Sequence, residues 1–278
     1  MECLSLLRKE VKSKVHWIPC GKCVNCMINR QNNWVFRMEQ EIKVSKSAIF
    51  TTLTYNPENI PLLVNEDTGE IQQSLRYSDI QKFMKRLRKN HKGIKVKHYT
   101  VGEYGDNTQR PHYHQILFNV KREQVAKLWN HGYTKIGEIN PARIRYVTKY
   151  MGKRIANTPE GSEIPKNVMS QGLGLSYALD EENRRHHKDH LIDSVITTGG
   201  VRVPLPRYIK DKIFTEDELH KMKIINACRR DADLQYLWDR CQTPEKLHFE
   251  LLSQAHEKLA QAKHNERMQQ KKSKCKDL

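Results

Sequence analysis

The order in which two hydrophobic periods follow one another is what most constrains the fold of this chain. "AIFTTLTY" (48–55) is β-branched and aromatic and reads as a strand. "SDIQKFMKRLRKNHKG" (78–93) has helical spacing, opens with Ser78 and Gln81 at capping-box separation, and has Gly93 just past its end. The stretch between them, "NPENIPLLVNEDTGE", reads as a loop. "IKVKHYTVGEY" (94–104) and "HYHQILFNV" (112–120) read as strands around the turn-rich "GDNTQRP", "REQVAKLWN" (122–130) as a helix, and "YTKIGEI" (133–139) as a strand. The order is β-α-β-β-α-β. It predicts an α+β fold of ferredoxin-like βαββαβ type, an antiparallel sheet with helices on one face and the other face or an edge free for a site.

The flanks are helical. "CMINRQNNWVFRMEQEIKVS" (26–45) spaces Ile28, Trp34, Val35, Met38 and Ile42 loosely as a helix, and "NPARIRYVTKYMGKRIA" (140–156) places Pro141 in a first helical turn. Residues 157–214 form an irregular extension with a hairpin expected around Gly199 and Gly200. Residues 215–278 form a helical, basic C-terminal region, with a capping box at Thr215 and Pro244 at a second helix start. Residues 1–30 are a cysteine-containing N-terminal segment and residues 31–156 the core.

Charge narrows the function classes. Lys and Arg number 49 against 32 Asp and Glu, a formal net charge of +17, which is the footprint of a polyanion-binding surface. No apolar run approaches the ~18 residues of a spanning helix, so no membrane partner is expected. The opening "MECLSLLRKEVKSKVHW" puts its charge after a short apolar stretch, the reverse of a secretory signal, and so predicts a cytoplasmic protein with reduced or metal-bound thiols.

Side chains alternate along a strand, so His112 and His114 face the same way and can offer two nitrogens to one ion. The preceding strand brings Glu103 within ligand reach. Two imidazoles and a carboxylate leave open coordination positions and suit Mg²⁺ or Mn²⁺ at least as well as Zn²⁺. His91 and His98 are spare and read as surface or edge residues. In "YVTKYMGK" (146–153), at about 100° per residue, Tyr146, Lys149, Tyr150 and Lys153 share one stripe, opposite the apolar stripe of Ile144, Val147, Met151 and Ile155. A phenolate next to an ammonium can attack a phosphodiester while the cation steadies charge on the phosphoryl oxygens.

"RPHYHQILF", "AIFTTLTY" upstream and "YVTKYMGK" downstream, in that order, resemble the three motifs of the HUH endonucleases. "CGKCVNC" before "NWVFRMEQE", then "VGEYGDNTQRPHYH", is similar to the rolling-circle replication initiators of microviruses, gokushovirus branch. The resemblance covers roughly residues 20–155, with "VRVPLPRYIKDKIF" similar to a downstream segment. Tyr113 stands where an aliphatic is usual, and Glu103 where some relatives carry histidine. The resemblance implies a nickase and ligase of a phage origin, with 31–156 as the HUH nuclease core. Tyr146 or Tyr150 would attack the scissile phosphate, leaving a 5′-phosphotyrosine and a free 3′-OH, with Lys149 and Lys153 as electrostatic or acid partners. Metal would sit on His112, His114 and Glu103. The implied partners are single-stranded and nicked double-stranded origin DNA and the host replication machinery, in the host bacterial cytoplasm.

"CGKCVNC" with Cys3 offers four thiols, Cys3, Cys20, Cys23 and Cys26, either as a structural zinc site or as a turn of reduced thiols; spacing alone does not separate the two. Cys228, Cys241 and Cys275 are isolated. A non-catalytic single-stranded nucleic-acid binder with an RRM-like sheet accounts for charge and fold class, but not for Glu103, His112, His114 and the Tyr/Lys stripe together. A zinc-organised structural protein would rest on the cysteines alone.

Overall fold

A computed structural model describes residues 3, 5–11, 14–64, 69–105, 108–149, 158–197, 200, 202–247 and 249–251, with a few further positions up to 264. Two compact units make up the chain, Gln31–Tyr177, and Met1–Arg30 together with Ala178–Leu278. In chain order the elements begin with a hairpin, β1 (Leu6–Val11) and β2 (Lys14–Pro19), followed by α1 (Val24–Val44) and β3 (Ala48–Tyr55). Then come β4 (Leu62–Val64), β5 (Ile71–Gln73), α2 (Tyr77–Asn90), β6 (Lys97–Tyr104) and β7 (Pro111–Phe118). α3 (Arg122–Leu128), β8 (Gly132–Glu138), α4 (Pro141–Lys149) and β9 (Asn167–Met169) complete the first unit's sheet and its helices. Beyond them lie α5 (Leu175–Leu179), α6 (Glu181–Asp189), the hairpin of β10 (Ser194–Ile196) and β11 (Arg202–Pro204), α7 (Arg207–Ile213) and α8 (Glu216–Cys241).

The chain is a mixed α and β protein around one five-stranded antiparallel sheet, in the order β8-β3-β7-β6-β9. Strand alternation divides the side chains between two cores. On one face Leu53, Tyr55, Tyr113 and Leu117 pack against Ile80, Phe83, Met84 and Leu87 of α2 and Val125 of α3. On the other, Tyr99, Val101, Ile116 and Phe118 meet Val35 and Met38 of α1 and Ile144 and Val147 of α4. The expected free face is therefore largely covered, because α1 and α4 each carry an apolar stripe that has to be buried. No helix among the described residues is long and apolar enough to cross a membrane.

Local details depart from the sequence expectation where long-range partners intervene. α2 starts one residue earlier than its capping box implies, with Arg76 as N-cap and no side-chain cap, and Ser78 and Gln81 are exposed. The orphan N–H groups of its first turn are met instead by distant chain: Arg76 N–H donates to Tyr113 Oη at 2.6 Å and Tyr77 N–H to Glu163 Oε2 at 3.0 Å. The segment read as a loop after β3 holds the β4–β5 hairpin. His91 and His98 are buried, not surface or edge residues: Lys121 N–H donates to His91 Nε2 at 3.0 Å, and His98 Nδ1 lies 2.8 Å from Thr100 Oγ1. At Thr215 the capping box forms as expected, with Thr215 N–H donating to Glu218 Oε2 at 2.7 Å and Glu218 N–H to Thr215 Oγ1 at 3.3 Å.

Candidate active site

Three strands converge on the site from the α1/α4 face. β7 is paired on both sides, and its register sets His112 opposite Glu103 of β6 and Thr54 of β3, and His114 opposite Thr52. Along that face the strand changes character partway: Ile116 and Phe118 enter the core, whereas His112 and His114 stop short of it. β6 does the same, with Tyr99 and Val101 in the core and Glu103 beyond it. The ligand-type side chains thus sit at the one end of the sheet face that α1 and α4 leave open to chemistry.

Glu103 Oε2 lies 3.2 Å from His114 Nε2 and 3.5 Å from His112 Nε2. One oxygen and two nitrogens all lie within 4.8 Å of one another, a spacing that one cation could bridge. The chemistry of the donors fits this use. Glu103 Oε2 is buried without a hydrogen bond of good geometry. Each imidazole also has a partner for its other nitrogen: His112 Nδ1 is 3.1 Å from the Arg110 carbonyl, so it carries the proton, and His114 Nδ1 is 3.0 Å from Thr52 Oγ1. An Nδ1–H so engaged leaves the Nε2 lone pair facing Glu103, the tautomer a metal-binding histidine needs. Burial acts to raise the Glu103 carboxyl, but the two facing imidazoles outweigh it and hold the group down at about 2. The carboxylate is ionised at neutral pH, as a ligand must be.

α4 supplies the next group. Asn140 caps it, accepting from Arg143 N–H at 2.8 Å, and Ile144 and Val147 anchor it to the sheet. Tyr146 is half-buried against the edge of that core, not opposite the apolar stripe, and its hydroxyl reaches to 3.4 Å from His114 Nε2. Its ring meets His114 edge-on at 5.1 Å between centroids, while Phe50 stacks on His114 at 5.8 Å. Tyr150 and Lys153 lie outside the described residues, as does the side chain of Lys149. The structure therefore brings together Glu103, His112, His114 and Tyr146.

Thr52, Phe50 and the Arg110 carbonyl escape the sequence reading, although Thr52 could have been found by pairing "AIFTTLTY" with "HYHQILF" in antiparallel register. Cys3, Cys20, Cys23 and Cys26 also converge, with sulfur atoms all within 4.8 Å of one another. Cys228 is exposed and belongs to no such group among the described residues, and Cys275 lies outside them.

Residues 48–155 match the family model described as replication-associated protein ORF2. The chain is similar to the replication-associated protein ORF4 of Chlamydia phage 1, with 28% identity over 255 residues, covering 80% of this chain and 60% of that protein. It is also similar to the replication-associated protein ORF2 of Spiroplasma virus 4, with 27% identity over 270 residues, covering 87% and 82% of the two chains. The replication-associated protein VP4 of Bdellovibrio phage phiMH2K is 26% identical over 220 residues, covering 69% and 66%. The chain thus spans less than two thirds of the length of the first and third of these relatives. No solved structure matches it. The matched segment runs from β3 through both ligand strands to the tyrosine-bearing α4, and by that segment the chain belongs among the replication-associated proteins of the ORF2 family.

Proposed function

We propose that this chain is a site-specific DNA nickase and strand-joining enzyme that starts and ends rolling-circle replication of a single-stranded-DNA phage. The observation that carries the reading is the convergence of Glu103, His112 and His114, with the Tyr146 hydroxyl 3.4 Å from His114 Nε2, inside the segment similar to phage replication-associated proteins. The strand order supports the ferredoxin-like HUH arrangement for a core of residues 31–156, with 157–214 as its extension and 215–278 as an accessory basic region.

Glu103 Oε2 and the Nε2 atoms of His112 and His114 would hold Mg²⁺ or Mn²⁺, which when bound polarises a non-bridging oxygen of the scissile phosphate. The phenolate oxygen of Tyr146 or Tyr150 bonds to phosphorus, and the P–O3′ bond breaks with its electron pair on the 3′ oxygen. A proton from Lys149, Lys153 or water completes the 3′-OH, and the 5′ end stays on the enzyme as a phosphotyrosine. In the reverse step a 3′-OH attacks that linkage and the phenol leaves, which closes a circle. One phosphoester is exchanged for another each time, so joining needs no nucleotide cofactor. Host polymerase would extend the free 3′-OH between the two steps.

The covering of the sheet by α1 and α4 disfavours an RRM-like platform, since the aromatic Tyr99 on that face is fully buried. The test is incubation of the protein with a single-stranded origin oligonucleotide and Mg²⁺ or Mn²⁺. A covalent protein–DNA adduct is expected, lost with chelator, reduced at least ~100-fold by His112→Ala, and absent in Tyr146→Phe/Tyr150→Phe. An adduct that persists in the double variant, or cleavage indifferent to chelator, overturns the reading.

A further inference from the structure

We propose that Cys3, Cys20, Cys23 and Cys26 bind a structural zinc ion, separate from the metal group on the sheet, that clips the open end of the N-terminal hairpin to the start of α1. The four sulfur atoms all lie within 4.8 Å of one another, and Cys3 Sγ and Cys23 Sγ are 3.9 Å apart. Zinc holds thiolates at about 2.3 Å in a tetrahedron, whose S···S edges are therefore about 3.8 Å. A disulfide would need about 2.05 Å and would use the sulfurs in pairs. Four thiols at tetrahedral edge length, all reduced, match the metal and not the bond.

The backbone around them is arranged for thiolates. Cys20 N–H points at Cys3 Sγ at 3.2 Å and Ser5 N–H at the same sulfur at 3.4 Å. Cys23 N–H and Lys22 N–H point at Cys20 Sγ at 3.2 and 3.4 Å. Such donors offset the negative charge that four thiolates leave on one zinc. The turn that aims the last two needs a left-handed residue, and Gly21, at φ 72°, is that residue. A Cβ there would also approach the Arg30 guanidinium to 3.3 Å, so a cation lies beside the loop.

The placement gives the ion a task. Cys3 precedes β1, Cys20 follows β2, and Cys23 and Cys26 bracket the first residues of α1. Leu6 and Leu7 on this hairpin are about half exposed, at 50% and 49%, so the ribbon buries little of its own apolar surface. A lone two-stranded ribbon is marginal in water. A tetrahedral clip across its base, anchored in a helix, supplies what the missing apolar burial does not.

The experiment uses the full chain carrying His112→Ala and His114→Ala, so that any metal counted is not held on the sheet, and reads composition instead of nicking. Elemental analysis after purification without added metal is expected to give one zinc per chain, released as a mercurial titrates the thiols. Exchange for Co²⁺ is expected to produce the visible and charge-transfer bands of a tetrahedral tetrathiolate. Cys23→Ser should lose the zinc and expose the first thirty residues to protease, and Cys23→His, which restores a ligand, should regain both. A metal-free chain with four freely titrating thiols and a protease-resistant hairpin overturns the proposal, as does a disulfide within the group or iron in place of zinc. None of these outcomes bears on the nicking chemistry, which is read by adduct formation alone.

Discussion

Tyr113 stands between the two site histidines in sequence and points through the sheet to the other side. There its hydroxyl accepts from Arg76 N–H at 2.6 Å and lies 3.3 Å from Tyr55 Oη, and Tyr55 in turn donates to Asp79 at 3.0 Å. Burial pushes the Tyr113 phenol well above its ordinary range, so it stays neutral and can accept at a helix start. A smaller aliphatic could fill the space but could not tie the ligand strand to α2. His98 shows the cost of a polar group inside the same sheet. Burial, with a smaller contribution from Arg88, lowers its imidazole from 6.5 to about 4. Between those values the unfolded chain takes up a proton that the folded chain refuses, so stability rises with pH across that window. Relative to neutral pH, acidification to about 4 should cost the fold ~3 kcal/mol through this residue. Urea midpoints measured from pH 7 to 4 should fall more steeply in the native chain than in His98→Gln, and equal slopes would remove the assignment.

At the scale of elements, the pairing of β3 with β8 turns on Gly132. It sits at φ 148°, opposite Tyr55, and a Cβ there would overlap the Asn56 nitrogen and the Thr54 carbonyl. Since those are backbone atoms, they cannot swing aside. Gly132→Ala is expected to destabilise the unit by at least ~2 kcal/mol, seen as a lowered denaturation midpoint, whereas alanine at the open Gly93 position should cost less. The main strands were legible because each carries its own pattern: "AIFTTLTY" became β3 residue for residue. The start of α2 was not, because its donors are met by Glu163 and Tyr113, groups that no local window contains. β9 was missed for a different reason, since three residues are too few to display a period. The ligand triad could be read since both strands are long and joined by a short connection, which leaves one plausible register. The half-burial of Tyr146 could not, because it depends on α4 settling its Ile144 and Val147 into a core that α1 also fills.

For the molecule as a whole, the surplus of +17 gives a reason to bind nucleic acid but not a reason to cut it. The cutting would reside in a few side chains at the end of a sheet face whose remainder is ordinary core. Ile116, Phe118, Tyr99 and Val101 hold the strands together whether or not His112, His114 and Glu103 are present. Replacing all three with alanine removes a buried carboxylate along with its partners, so no uncompensated charge is left behind. The triple variant should therefore melt within a few degrees of the parent in a thermal scan, while forming no adduct with DNA. A collapse of the melting transition would mean that the triad is structural. The sheet, in that sense, can outlive its chemistry. Descendants that have lost the triad are expected to persist as folded DNA-binding proteins. Overall similarity will not tell them from working nickases; three positions on two neighbouring strands will.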